Sequence, residues 1–155
     1  MQTAVQRENG TLTPEMMDAL LDQPLLARVA TASPADHRPH VVPVWYMWDG
    51  ESIWISSYSS TRKIRDLRGN PFCSIVIDEA ESGWDFRGVI FQGRAKLLVE
   101  PREFVSEMTT RIYTRYLGDE GVLDPSPQEW IHDPENMLIK VTPTQTFTWY
   151  SRLAD

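Results

Sequence analysis

The chain has 155 residues, 41% of them hydrophobic, with six tryptophans and a formal net charge of −7. That length and apolar content fit one globular domain with a proper core and exclude a disordered chain. The acidic balance argues against nucleic acid or an anionic membrane as partner, and a single cysteine, Cys73, excludes an internal disulfide and a multi-cysteine zinc site.

No apolar run reaches membrane-spanning length, and the opening MQTAVQRENGTLT has no signal-peptide core, so a cytoplasmic location is the expectation. Residues 1–12 read as a loose polar arm. Thr13 then caps a helix with Pro14 at its first position and Glu15 in its first turn, and Pro24 ends it. LLARVATA (25–32) is a near-continuous apolar strand. A turn around Pro34, Asp36 and Pro39 leads into a second strand, HVVPVWYMW (40–48). Pro43 cannot donate to a ladder, so this strand sits at an edge or is bulged there. Asp49-Gly50 is a tight-hairpin signal, and ESIWISS returns antiparallel.

The next stretch carries the chemistry. After Ser56, Ser57, Tyr58, Ser59 and Ser60, a helix opens near Thr61 and stops at Gly69, with Asn70 and Pro71 closing it. It holds Arg62, Lys63, Arg65 and Arg68, four of the 15 basic residues of an acidic protein. A helix N-terminus presents unpaired N–H groups and a partial positive charge, and hydroxyls from Ser60 and Thr61 with the Arg62–Lys63 pair suit phosphate. A charge cluster alone is more often a solvated face, so the neighbouring segments must decide.

FCSIVID follows as a strand in which Cys73 is a small buried hydrophobe, then the acidic loop EAESGWDF. GVIFQGRAKLLVE (88–100) is the longest strand, with Gly93 marking a bend or a close backbone approach. Pro101 opens an amphipathic helix with Phe104, Met108, Ile112 and Tyr116 on one face, ended by Gly118. A loop-rich segment with one helical turn at 127–131 precedes two last strands, MLIKVTP and QTFTWYSR. Hairpins, few helices and short connections predict a mainly β chain: a six- to seven-stranded antiparallel split β-barrel with a few flanking helices, one domain over 1–155.

Three pieces in uninterrupted order, RPHVVPVWYMWDGESIWISS, STRKIRDLRGNPFCSIVID and GWDFRGVIFQGRAKLLVEP, resemble the pyridoxamine 5'-phosphate oxidase-like split barrels. These bind FMN or the deazaflavin F-420 between the two chains of a homodimer. The resemblance implies that Ser60, Thr61, Arg62 and Lys63 contact the cofactor phosphate. It implies that the backbone at Val42, Pro43 and Val44 lies along the ring, and that Ser56, Ser57 and Tyr58 border the ribityl region. Gln92 is the candidate polar contact from the partner subunit and Trp149 a closing aromatic. Tyr46 and Tyr58 are the candidate proton donors to a small-molecule substrate. The vitamin B6 oxidases proper carry an Arg and a Lys where this chain has Val41 and Tyr46, which speaks against pyridoxamine phosphate oxidation. Ser82-Gly83-Trp84 resembles the actinobacterial-type deazaflavin reductases.

The expectation is therefore a flavin- or deazaflavin-dependent oxidoreductase, with FMN first and F-420 as alternative. The rival is a non-catalytic flavin or haem binder of the same fold. Trp45, Trp48 and Trp54 are expected to fill the barrel interior, and Trp84 to make a ligand or dimer contact. His37, His40 and His132 are scattered and make no metal site. No Gly-x-Ser-x-Gly elbow or dinucleotide fingerprint is present.

Overall fold

A computed structural model describes residues 6–154 as nine antiparallel strands and four helices. In chain order these are β1 (Arg7–Gly10), α1 (Pro14–Leu21), β2 (Ala27–Ala32), β3 (Pro39–Val44), β4 (Met47–Trp48), β5 (Ile53–Tyr58), α2 (Arg62–Gly69), β6 (Phe72–Ala80), β7 (Phe86–Leu98), α3 (Arg102–Gly121), α4 (Pro125–His132), β8 (Asn136–Val141) and β9 (Gln145–Leu153). Hydrogen bonding runs β3-β2-β6-β7-β8-β5-β4, with β9 on β7 and β1 on β9. The expected split barrel is what forms: two curled sheets sharing one long strand.

That strand is β7. Residues 86–92 pair with β6 and β9 in the first sheet, while Ala95–Leu98 pair with β8 in the second. The crossing falls at Gly93, where a Cβ would sit 3.0 Å from the Thr142 carbonyl oxygen and 3.3 Å from Pro143 Cα. Only a residue without a side chain lets the two backbones approach this closely.

Nine strands replace the seven expected for two reasons. Residues 40–48 do not form one strand, because Trp45 and Tyr46 break it. β3 stays with β2 in the first sheet, and β4 joins β5 in the second. Residues 7–10, expected to be part of a loose arm, instead add β1 to the edge of β9, and the Arg152–Glu8 ion pair joins the two. The first five residues of that arm lie outside the described ones. Pro43 is accommodated as foreseen, in an edge strand whose register with β2 runs unbroken.

The Asp49-Gly50 turn forms, with Gly50 at φ +95° and Asp49 Oδ1 accepting from the Glu51 and Ser52 amides at 2.8 and 2.7 Å. The main core lies inside the curl, built from Val29, Ile53, Ile55, Ile75, Ile77, Val89, Phe91 and Ile139, with Leu20 and Leu21 of α1 and Ile64 and Leu67 of α2. A second cluster lies under α3, where Val105, Met108 and Ile112 meet Trp54, Met47 and Leu138. Trp48 stacks on Phe91 of the main core, as expected for an interior ring. Trp45 and Trp54 belong instead to the α3 layer, since side chains alternate across β5 and residue 54 points away from 53 and 55. Cys73 is buried, and burial pushes its thiol up to about 11.

Filling the Gly93 crossing should be costly. Gly93→Val is expected to lower unfolding free energy by about 1–3 kcal/mol, the usual range for overpacking a filled site, measured by urea denaturation. An unchanged denaturation midpoint would show that the two sheets can part there.

Candidate functional site

The turn from β5 into α2 is tight. The Tyr58 carbonyl accepts from the Thr61 amide at 3.1 Å and from Thr61 Oγ1 at 2.9 Å, and Ser57 Oγ lies 3.0 Å from Thr61 Oγ1. Thr61 is the N-cap residue of α2, yet its side chain makes no capping bond. This differs from the sequence reading, in which the Thr61 hydroxyl donates to an anion. Here its proton goes to Tyr58, and the first amides of α2 keep no side-chain acceptor.

α2 is pinned to the first sheet by Asp66. That carboxylate is 5% exposed, accepts from Thr31 Oγ1 at 2.8 Å and lies 3.8 Å from Arg62 Nε. Arg62 also donates to the Arg38 carbonyl at 3.5 Å, which brings the start of α2 to the turn before β3. A basic residue at 62, a buried acid four residues on and a β2 threonine thus hold the helix N-terminus against the edge strand.

Lys63 is the exceptional residue. It is 9% exposed and, among the described residues, makes no ion pair or hydrogen bond. Its ammonium still reaches solvent, since no side-chain nitrogen among the described residues is both sealed and unpaired, and the partial burial of the side chain holds its pKa below the usual lysine range. An uncapped helix start, Arg62 and the unpaired, largely buried Lys63 side chain lie together as a candidate anion cradle.

The other expected site residues separate into two groups. Ser56, Ser57, Tyr58 and Ser60 line the β5 end and the turn into α2, beside the cradle. Val42 and Val44 turn their side chains to the main core, so an edge backbone is what β3 offers, with Pro43 facing outward and exposed. Gln92 and Trp149 are elsewhere in this chain. They lie on the outer face of the first sheet, and the register Val41–Ala30–Ser74–Gln92–Gln145 puts Gln92 three strands, about 14 Å, from β3. Trp149 is laid over Gly88, where a Cβ would meet its ring at 2.3 Å, so it packs on its own sheet.

Tyr46 is not a proton donor to substrate. It is fully buried, and its hydroxyl donates to the Leu21 and Gln23 carbonyls at 2.9 and 3.1 Å. Arg115 of α3 lies over its ring and donates to the Tyr46, Leu21 and Gln23 carbonyls. Burial first, and then the neighbouring Tyr116, raise its pKa far above the ordinary tyrosine value. Tyr58 remains half-exposed, with its pKa also raised, by burial first and then by Asp133.

Sequence reasoning missed Asp66 and the aromatic wall that Tyr113 and Trp130 build beside Tyr58. Asp66 had a readable signal, the i,i+4 spacing from Arg62. The wall had none, because it depends on how α3 and α4 fold back over β5. Among the described residues no His, Cys, Asp and Glu grouping could hold a metal, and no helix is long and apolar enough to cross a membrane.

The pyridoxamine 5'-phosphate oxidase family model matches residues 13–150, which includes every element of the cradle. The chain belongs to that family. A conserved hypothetical protein of Mycobacterium tuberculosis superposes with a TM-score of 0.76 at 21% identity, over 96% of this chain and 88% of that one. An F420 reductase superposes with a TM-score of 0.65 at 22% identity, over 84% and 94%. A FAD-binding protein of Mesorhizobium loti gives 0.65 at 20% identity, over 94% and 98%. A search of curated proteins returned no match. At these identities the superpositions establish a shared fold.

The lysine makes a measurable prediction. Its folded pKa lies below the unfolded one, so the unfolded chain binds the proton more tightly. Stability is then lowest below both values and rises with pH between them. Lys63→Met should be more stable than the parent at neutral pH, with the difference shrinking towards about pH 10.4, the unperturbed lysine value. Urea unfolding across this range checks it, and equal stability at every pH would mean the ammonium is paired.

Proposed function

We propose that the protein is a homodimeric flavin- or deazaflavin-dependent oxidoreductase, with FMN as the first candidate cofactor and F-420 as the alternative. The observation that carries this reading is Lys63 in the first turn of an uncapped helix, its side chain largely buried and its ammonium in no ion pair among the described residues. Such an arrangement costs stability unless an anion completes it, and a cofactor phosphate is the anion this family fold offers. The hydride transfer, to or from a small conjugated substrate, is the chemistry that the flavin or deazaflavin ring supplies when bound.

The protein's own part is binding and positioning. Lys63, Arg62 and the α2 amides would hold the phosphate. Ser56, Ser57 and Tyr58 would border the chain that joins it to the ring, and the edge backbone at Val42–Val44 would lie along the ring. Asp66 keeps Arg62 aligned without neutralising Lys63. With Tyr46 spent inside the fold, Tyr58 is the remaining candidate to hold a proton near substrate, and its raised pKa keeps it protonated at neutral pH. Pyridoxamine phosphate oxidation is not proposed, because neither Val41 nor Tyr46 supplies a basic group.

The outer face of the first sheet supports the dimer. Pro43, Arg28, Val76, Ile90 and Phe147 form one row across five strands, and Val41, Ala30, Ser74, Gln92 and Gln145 form the next. Val41 is 64% and Phe147 51% exposed, while α1 and α2 place their buried residues in the core on the opposite side. An apolar sheet face continuous with the β3 edge is a surface a second copy would cover. That copy would bring its own Gln92 towards the cradle, which explains how a residue remote within one chain can serve the site.

Two experiments test these readings. Arg62→Ala combined with Lys63→Ala should leave the fold intact and reduce flavin or deazaflavin affinity by at least about a hundredfold, the sum of two charge-assisted contacts, read from absorbance of the purified protein and titration with both cofactors. Full occupancy in the double variant would refute the phosphate assignment. Phe147→Asp should shift the protein from dimer to monomer in sedimentation velocity and lower cofactor occupancy with it. A parent protein that sediments as a monomer would refute the interface.

A further inference from the structure

Beside the anion cradle lies a second cavity, which shares Ser57 and Tyr58 with the cofactor reading and adds residues of α3, α4 and β8 that the reading leaves unused. It is an open pocket of about 170 Å³ lined by Ser57, Tyr58, Tyr113, Trp130 and Asn136. The rings of Tyr113 and Trp130 meet edge to face, with centroids 6.2 Å apart and planes at 78°, so they form two walls of a corner. Trp45 backs Tyr113 at 5.3 Å and 90°, which fixes the corner in place. Tyr58 supplies a third wall.

The polar groups around it include donors, the Tyr58 and Tyr113 hydroxyls and Trp130 Nε1–H, together with one buried acceptor. Asn136 is 1% exposed, and its Nδ2 donates to Thr109 Oγ1 and the Ile131 carbonyl at 2.9 and 3.1 Å. Both contacts draw the NH₂ group inward, so Oδ1 is the atom this side chain has left to offer. Ser57 Oγ is taken by Thr61 and the Tyr58 carbonyl.

The rim is acidic. Asp133, Glu129 and Glu135 all lie close enough to Tyr58 to add to the effect of burial on its hydroxyl. Among the described residues none of the three is in an ion pair. Arg102, the cation at this end, is committed to the carbonyls of Val99, Asp133 and Asn136.

We infer that this cavity binds the positively charged head of a small organic amine, a quaternary or protonated ammonium group seated between Tyr58, Tyr113 and Trp130. Ring faces carry negative charge and attract cations, and mutually perpendicular rings can present several faces to one centre. An acceptor oxygen and three carboxylates that make no ion pair reinforce that preference. A neutral apolar group would satisfy the walls and gain nothing from the acids. The volume matches one such headgroup rather than an extended ligand. The inference shares Ser57 and Tyr58 with the cofactor reading but requires a ligand of the opposite charge, held by the rings of Tyr113 and Trp130.

Titration calorimetry of the full chain with choline and with its neutral carbon isostere, 3,3-dimethylbutan-1-ol, tests it. Choline should bind at least about tenfold more tightly than the isostere, as expected where a ring cage adds a charge-dependent attraction. Trp130→Ala should weaken choline by about tenfold and Trp130→Phe by much less, because a smaller ring still presents a face. Glu129→Gln with Glu135→Gln should weaken it by about threefold at low ionic strength, with the loss fading in salt. Trp130 is 40% exposed, so its removal leaves the core untouched. Equal binding of the two ligands, binding of neither, or indifference to Trp130→Ala would overturn the inference. Absorbance of the same samples reports cofactor content separately, so a colourless protein that prefers choline would refute the flavin reading alone.

Discussion

One strand belongs to both sheets, and the architecture hangs on its passage between them. β7 pairs with β9 up to Gln92, with β6 up to Arg94 and with β8 from Ala95, with Gly93 at the bend. The bend is possible because the Thr142–Pro143 backbone occupies the place of a side chain. The chain crosses between sheets again from β3 to β4, and here side chains do the holding. The Tyr46 amide donates to the Tyr116 hydroxyl at 3.1 Å, and that hydroxyl donates to the Leu25 carbonyl at 2.7 Å. Tyr46 and Arg115 meanwhile satisfy the carbonyls of Leu21 and Gln23 just past α1. Buried carbonyls left unpaired cost about 1–3 kcal/mol each, so this knot fixes α1, the crossing and α3 relative to one another.

α2 connects the two sheets a third time, and it is where the fold gives up stability. Its amphipathic face buries Ile64 and Leu67, and Asp66 ties it to Thr31. Lys63 then occupies a position in the same buried face where an apolar residue would pack better. Partial burial of a lysine that makes no ion pair lowers stability, and any ligand that binds the folded state alone would offset that cost by mass action. The same logic separates Arg62, which has Asp66, from Lys63, which has nothing.

The succession of strands along the chain, the edge or bulge at Pro43 and the basic helix were all readable because each rests on a local rule. Pro43 cannot donate, Asp49-Gly50 turns tightly, and Asn70-Pro71 stops a helix. What was not readable depends on contacts distant in sequence. Nothing at Tyr46 announces that its hydroxyl reaches the carbonyls after α1, so it was assigned to the substrate. Residues 7–10 are polar and carry no strand pattern, and they become β1 only because β9 offers an open edge. α3 was read to end at Gly118, which does leave helical geometry at φ +78°, yet helical bonding resumes to Gly121. The pocket of Tyr58, Tyr113 and Trp130 draws its walls from three elements whose mutual packing no local pattern encodes.

The position of Tyr46 also bears on which chemistry the fold can support. The resemblance to the vitamin B6 oxidases places a basic pair at Val41 and Tyr46, and the two positions differ physically in this chain. Val41 is on the outer face and open to solvent, so an arginine there would meet no obstacle. Position 46 is sealed, its hydroxyl in two hydrogen bonds and Arg115 already over the ring. A lysine in its place would bury a second cation beside that guanidinium, and like charges in a poorly solvated site disfavour one another strongly. Restoring the pair would therefore require rebuilding the α1–α3 knot and not two point changes. The position where the resemblance expects a lysine is thus the position that holds the crossing, so a basic group there is opposed by the architecture itself.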